Sequence, residues 1–192
     1  MQGRFLREPT VERLVAAATR AAADGIDAVF LTNGPLGDAI TLAASLATIS
    51  PKLLLGIRVN LAMEPHPHPT VLARDMTTLD LICGGRSLLA FTPPFADAGV
   101  VIEAIALCRA MWREGIATSD GPHYPVASAI NRPRPAQPGG PRVALDATND
   151  AAPTQLTAAL LAAADILLVP GGSPSPLLTP PPGLDLCQIQ LA

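Results

Sequence analysis

Arg58 is the residue of this chain that most needs a chemical explanation. It stands inside the apolar run Leu53-Leu54-Leu55-Gly56-Ile57-Arg58-Val59, where an unpaired guanidinium is costly to bury. It must reach solvent or find a partner. That partner is either an anionic group of a ligand or a structural counter-ion such as Asp80. Asn60 follows at the end of the run, where an amide either hydrogen-bonds a ligand or turns the chain. Asn33-Gly34, Thr92-Pro93, Asp146 with Thr148, and Pro170-Gly171 also end apolar runs. Glu64-Pro65-His66-Pro67-His68 sets two imidazoles two residues apart, able to project to one side of an extended chain. No third ligand with suitable spacing is near, so no metal site is expected. None of Gly84-Gly85, Gly139-Gly140 and Gly171-Gly172 has the spacing of a nucleotide phosphate loop.

These residues are far apart in sequence, and an alternation of strands and helices is what would gather them. The stretch from His68 to Arg86 reads as a helix between two strands. Pro69 suits a first helical turn, Gly84 and Gly85 supply the stop, and Val71, Leu72, Met76, Leu79 and Ile82 form an apolar stripe. The flanking runs, Leu53 to Val59 and Ser87 to Thr92, lack clean polar alternation, as expected of parallel strands covered on both faces. Before them, Val11 to Ala23 reads as a helix with Thr10 as N-cap and Gly25 as stop, Ala28 to Leu31 as a strand, and Asp38 as the cap of a helix to Ile49.

Beyond Thr92, a helix from Val100 to Arg113 is expected to bury Ile102, Ile105, Ala106, Cys108 or Arg109, and Trp112. Residues 115–141 are rich in proline and glycine and read as a hairpin and linker. Arg142 to Leu145, Pro153 to Ala163 and Ile166 to Val169 resume as strand, helix and strand. Residues 171–185 form a proline-rich tail segment. Met1 to Leu6 and Leu186 to Leu191 are possible first and last strands. The sum, about seven strands and five helices in alternation, is an α/β chain with a parallel sheet; measured against the TIM-type (β/α) barrel that the family resemblance given below implies, it is one or two units short. A position just beyond the carboxyl end of a strand then becomes a rim position, which is what selects the polar residues above.

The 192 residues, 49% of them hydrophobic, support one core and one domain over 1–192. A net charge of −3, with 15% charged residues and Lys52 as the only lysine, argues against a nucleic-acid surface. No stretch is apolar enough to span a bilayer and no secretory leader is evident, so a cytoplasmic protein is expected. Cys83, Cys108 and Cys187 are too few and scattered for a disulfide framework and read as small buried residues in a reducing compartment.

The order of several short patterns resembles the bacterial luciferase-like monooxygenase family, the flavin- and deazaflavin-dependent barrels. His68-Pro69 with Ala73, Leu79, Asp80, Gly85 and Arg86 is similar to that family's third helix, and Asp24 to Leu31 to its second strand. Asp38 to Ala43 resembles the helix after that strand. Cys108 to Gly115 and Gly121-Pro122-His123-Tyr124 resemble the fourth helix and its hairpin, and Arg132 to Gln137 and Arg142 to Leu145 the linker and next strand. The likeness covers about Val11 to Gly172.

It implies an oxidoreductase that orients FMN or the deazaflavin coenzyme F420 against a small organic substrate, with Asn33, Arg58, Asn60, His68 and Thr92 around the cofactor. His68 matches the histidine of the family's His-Pro helix start, which lines the rim or stabilises the loop. The family pairs through its early helices, and unpaired strand edges point the same way, so a homodimer is expected. Two departures favour another reading. Gly34 stands where members with a catalytic histidine carry it, and the loops after strands seven and eight that hold phosphate in barrels are missing or reduced. The alternative is a shortened non-catalytic relative, with or without a cofactor, that binds a ligand or partner at the barrel mouth.

Overall fold

The computed structural model describes residues 10–63, 65–95, 97–148 and 155–168. The expected strands at Met1 to Leu6 and Leu186 to Leu191, the tail segment, Pro170-Gly171 and Cys187 lie outside the described residues.

Helix α1 (Val11–Ala23) begins where the Thr10 hydroxyl accepts from the Arg13 N–H, and Gly25 follows it at φ 77°. Strand β1 (Ala28–Leu31), helix α2 (Ala39–Ile49), strand β2 (Leu54–Val59), helix α3 (Pro69–Ile82), strand β3 (Ser87–Phe91) and helix α4 (Ala98–Glu114) follow in strict alternation. Strands β4 (Ile116–Ser119) and β5 (Val126–Ile130) form an antiparallel hairpin. Strand β6 (Arg142–Asp146), helix α5 (Ala158–Ala163) and strand β7 (Ile166–Leu168) then resume the alternation.

The main sheet has five parallel strands in the order β1-β2-β3-β6-β7. It is the (β/α) barrel pattern cut short, with β1 and β7 as edges among the described residues. Alternation along each strand divides the sheet into two faces. One presents Val29, Leu31, Leu55, Ile57, Val59, Leu89, Phe91, Val143, Leu145 and Leu167 to the helices, in the main core. The other carries Ala28, Phe30, Leu88, Ala90, Ala144, Ile166 and Leu168, a smaller buried cluster. On this second face the Phe30 ring lies over Gly56. A Cβ at Gly56 would meet that ring in hard contact, so glycine is what lets the ring lie flat on β2.

Three expectations need correction. The buried stripe of α3 is Leu72, Ala73, Met76, Leu79 and Asp80, while Val71 and Ile82 are about half exposed, at 47% and 50%. At about 100° per residue, positions 72, 76 and 79 share a face from which 71 and 82 are turned away. In α4, Ala106 faces out and Leu107 and Cys108 face in. Helix α5 starts at Ala158, because the Thr157 hydroxyl caps it by accepting from the Leu160 N–H; residues 155–157 precede the helix, and 153–154 are not among the described residues.

The hairpin and linker are tied to the helices by polar contacts. Glu103 of α4 accepts from the backbone N–H groups of His123 and Tyr124 at 3.1 and 2.7 Å. Buried Asn131 donates through Nδ2 to Thr77 Oγ1 at 2.9 Å. Trp112 Nε1 donates to the Ala73 carbonyl at 3.0 Å, and its indole packs on Gly140, where a Cβ would sit 2.5 Å from Cε3. Burial pushes the Cys108 thiol up to about 12, which makes it an inert core group.

Candidate functional site

A cleft of about 440 Å³ opens beyond the carboxyl ends of β1 and β2, where α2 and α3 begin. Open α/β sheets and barrels place their ligands at that end, and the volume falls in the range of small-molecule pockets, roughly 300–1,000 Å³. Its walls are built by elements whose starts are fixed locally. Asp38 caps α2 by accepting from Thr41 N and Oγ1, both at 2.8 Å, and Asn33 Oδ1 accepts from Ala39 N at 2.8 Å. Gly34 and Gly37 close the intervening turn by exchanging backbone hydrogen bonds.

Of the five residues expected around a cofactor, the cleft gathers Asn33, Arg58 and Asn60. Asn60 has both amide ends engaged, with Nδ2 donating to the Pro93 carbonyl at 2.7 Å and Oδ1 accepting from Ala62 N at 2.9 Å. It therefore shapes the loop that walls the cleft. His68 and Thr92 do not line it. His68 is the N-cap of α3, its Nδ1 accepting from Thr70 N at 3.3 Å, and its ring stands edge-on to Tyr124 at 5.3 Å. The Thr92 hydroxyl points to the Val59 carbonyl at 3.5 Å and closes the β2–β3 rim.

Arg58 finds its counter-ion, and it is not Asp80. Nε lies 2.7 Å from Asp146 Oδ2, across β3, with the side chains 11% and 5% exposed. The guanidinium also lies over the Phe30 ring, 5.1 Å from its centroid. The contact with Asp146 is an ion pair by distance only. Neither Nε nor Nη2 makes an aligned hydrogen bond among the described residues. Asp80 sits at the other end of the sheet, fully buried. It accepts from Ser87 Oγ at 2.7 Å, Gln137 N at 2.8 Å and Gln137 Nε2 at 2.7 Å. Arg86 is a fixed structural group too, donating to the carbonyls of Ala47 and Ser50 at the end of α2 and of Leu53 just before β2.

The sequence reading missed the helical wall. Asp75 and Leu72 of α3, Ile40 of α2 and exposed Met63 complete the cleft. Burial, then the nearby charge of Asp38, raise the Asp75 carboxyl above its ordinary value. The signal was present in the spacing, since Asp75 lies three residues beyond buried Leu72, in the second turn of the helix. Aligning only strand ends overlooked it. His66 also lines the cleft, while among the described residues no group of three metal-ligating side chains is gathered anywhere.

The lining suits an uncharged heteroaromatic ring better than a phosphate. Ile40, Ile57, Val59 and Leu72 supply apolar wall, and Asn33 and Asn60, their amides already bonded to Ala39, Pro93 and Ala62, a neutral polar edge. The cleft's arginine is already balanced by Asp146, and Asp38 and Asp75 add negative charge. Among the described residues a phosphate finds no uncompensated cation here.

No protein-family model matches the chain, and no curated protein sequence matches it. Solved structures do. Monooxygenase RslO1 from Streptomyces bottropensis superposes with a TM-score of 0.59 at 21% identity, over 74% of this chain and 49% of that one. The coenzyme F420-dependent tetrahydromethanopterin reductase from Methanopyrus kandleri gives 0.65 at 18%, over 82% and 52%. The oxygenating constituent of 3,6-diketocamphane monooxygenase from Pseudomonas putida, in complex with FMN, gives 0.57 at 17%, over 74% and 48%. The chain spans about half the length of these structures, and what it shares with the luciferase-like flavin- and deazaflavin-dependent enzymes is their (β/α) barrel fold.

Proposed function

We propose that the chain is a luciferase-like oxidoreductase that seats the ring of FMN or of coenzyme F420, with a small organic substrate, in the rim cleft. The observation that carries this reading is the cleft itself, at the carboxyl ends of β1 and β2, with one apolar wall and one amide edge. When bound, the cofactor supplies the hydride or oxygen chemistry.

The chain supplies position and environment. Asn60, held by Pro93 and Ala62, fixes the loop that covers β2, and Ile57, Val59 and Leu72 keep water from the ring face. Arg58, held by Asp146 and Phe30, lines the cleft, its buried Nη2 without a hydrogen-bond partner among the described residues. Gly34 offers no proton, and Asp75, a carboxyl in the cleft wall raised above its ordinary value by burial and by Asp38, is the residue we would assign to proton transfer. The edges that β1 and β7 form among the described residues favour a homodimer, to be checked by light scattering.

The experiment is a titration of purified protein with FMN and with F420, followed by addition of a reductant and candidate substrates. Saturable binding with turnover is the expected result. Binding without turnover would favour the second reading, a non-catalytic relative, for which the absence of a histidine at Gly34 speaks. Failure to bind either cofactor would overturn the oxidoreductase reading.

A further inference from the structure

The opposite end of the sheet carries a second cavity, of about 250 Å³, between the end of α4 and the starts of β6 and β7. Arg109, Arg113 and Arg142 line it together with one acidic residue, Asp165, and the rest of the lining is uncharged, so its net charge is +2. This is an unusual concentration in a chain of net charge −3 with 13 lysines and arginines in all.

The acid is already committed. Asp165 Oδ1 holds Arg109 Nη2 at 2.7 Å, and Oδ2 accepts from Val143 N at 2.8 Å. The guanidinium groups of exposed Arg113 and half-buried Arg142 make no hydrogen bond or ion pair among the described residues. Two guanidinium groups with free donors thus converge on one concavity, the arrangement that matches the oxygens of a phosphate.

The loop beside them is shaped to keep it open. Gly139 and Gly140 have φ of 84° and 102°, and a Cβ at Gly139 would lie 3.9 Å from Arg113 Nε. Any side chain there would begin to cover the guanidinium. Gly140 in turn packs on the indole of Trp112, the chain's single tryptophan.

We propose that this cavity is a phosphate-binding site, held by Arg113 and Arg142 with Arg109 behind them. The ligand is either free inorganic phosphate or the phosphate group of a monoester. The site is separate from the rim cleft and does not rest on the oxidoreductase reading. Arg142 and Asp146 are the two ends of β6, four residues and about 13 Å apart.

The test is a titration of the full chain with sodium phosphate and with glycerol phosphate at constant ionic strength. Trp112 emission and the amide resonances of Gly139 and Gly140 are the readouts. A saturable change that chloride does not produce is expected, with affinity at least about tenfold weaker in R113Q/R142Q. Tighter binding of glycerol phosphate would identify a phosphomonoester ligand, and equal binding the free anion. No saturable response to either, or a response unchanged in R113Q/R142Q, would overturn the proposal. Should the double variant not fold, the wild-type resonances decide, since shifts centred away from residues 139–140 and the two arginines would also overturn it.

Discussion

The two ends of the parallel sheet solve the problem of a buried charge differently. At the amino end, Asp80 is fully buried and meets three donors, Ser87 Oγ, Gln137 N and Gln137 Nε2, all within 2.8 Å. It is saturated, and it pins the 131–141 linker to β3 and α3. At the carboxyl end, Arg58 meets Asp146 by charge and Phe30 by its π face but leaves Nη2 without a hydrogen-bond partner among the described residues. A saturated network fixes architecture, whereas an incomplete one beside a cleft retains bonding capacity for a ligand. Two carboxyls of similar burial, Asp80 and Asp146, therefore have different roles.

Removing the saturated group should do the most damage. Asp80→Ala leaves the Gln137 N–H and the Ser87 hydroxyl without their acceptor and Gln137 Nε2 with the Ser87 carbonyl, and a loss of about 4 kcal/mol in urea unfolding is expected. At the rim, Arg58→Met strands Asp146, which keeps its bonds from Thr148 N and Oγ1 at 3.0 and 2.5 Å. A loss of about 2 kcal/mol is expected. Replacing both partners, in R58M/D146L, should cost less than R58M alone, because no charge is left stranded. If R58M equals D80A in cost, the contrast between the two ends fails.

A smaller effect concerns pH. The Asp75 carboxyl is raised from 3.8, chiefly by burial and then by Asp38. The folded chain then holds this proton more tightly than the unfolded chain, so Asp75 contributes a loss of stability as pH rises from about 3.8 through its folded value. Thermal melts of D75N should show that loss diminished and a slightly higher melting temperature at neutral pH. A wild-type pH profile in that window identical to that of D75N would contradict the upward shift of the Asp75 carboxyl.

Much of this architecture is written in local signals. Thr10, Asp38, Pro69, Gly25 and the Gly84-Gly85 pair mark helix ends by side-chain and φ requirements that act within a few residues, and they delimit α1, α2 and α3 in the sequence. The parallel strands follow from short apolar runs between those helices. The partner of Arg58 was not legible. Asp146 lies 88 residues away, and only the sheet order that sets β6 beside β3 brings it across the face. For the same reason the cleft was read from strand ends alone, and Asp75, Leu72 and Ile40 were missed because they enter it from the helices.

The account depends most on the rim cleft as the seat of a flavin-type ring. Met63 lines it and is 65% exposed, so Met63→Trp should obstruct the cleft without disturbing the core. Binding of FMN, riboflavin and F420 to the wild type and M63W by isothermal titration tests this directly. The account predicts saturable binding of FMN or F420 by the wild type, with riboflavin within roughly threefold of FMN since the rim offers no cation to a phosphate. It also predicts at least about tenfold weaker binding by M63W at an unchanged melting temperature. Binding that M63W leaves intact, or no binding of any of the three, would contradict it.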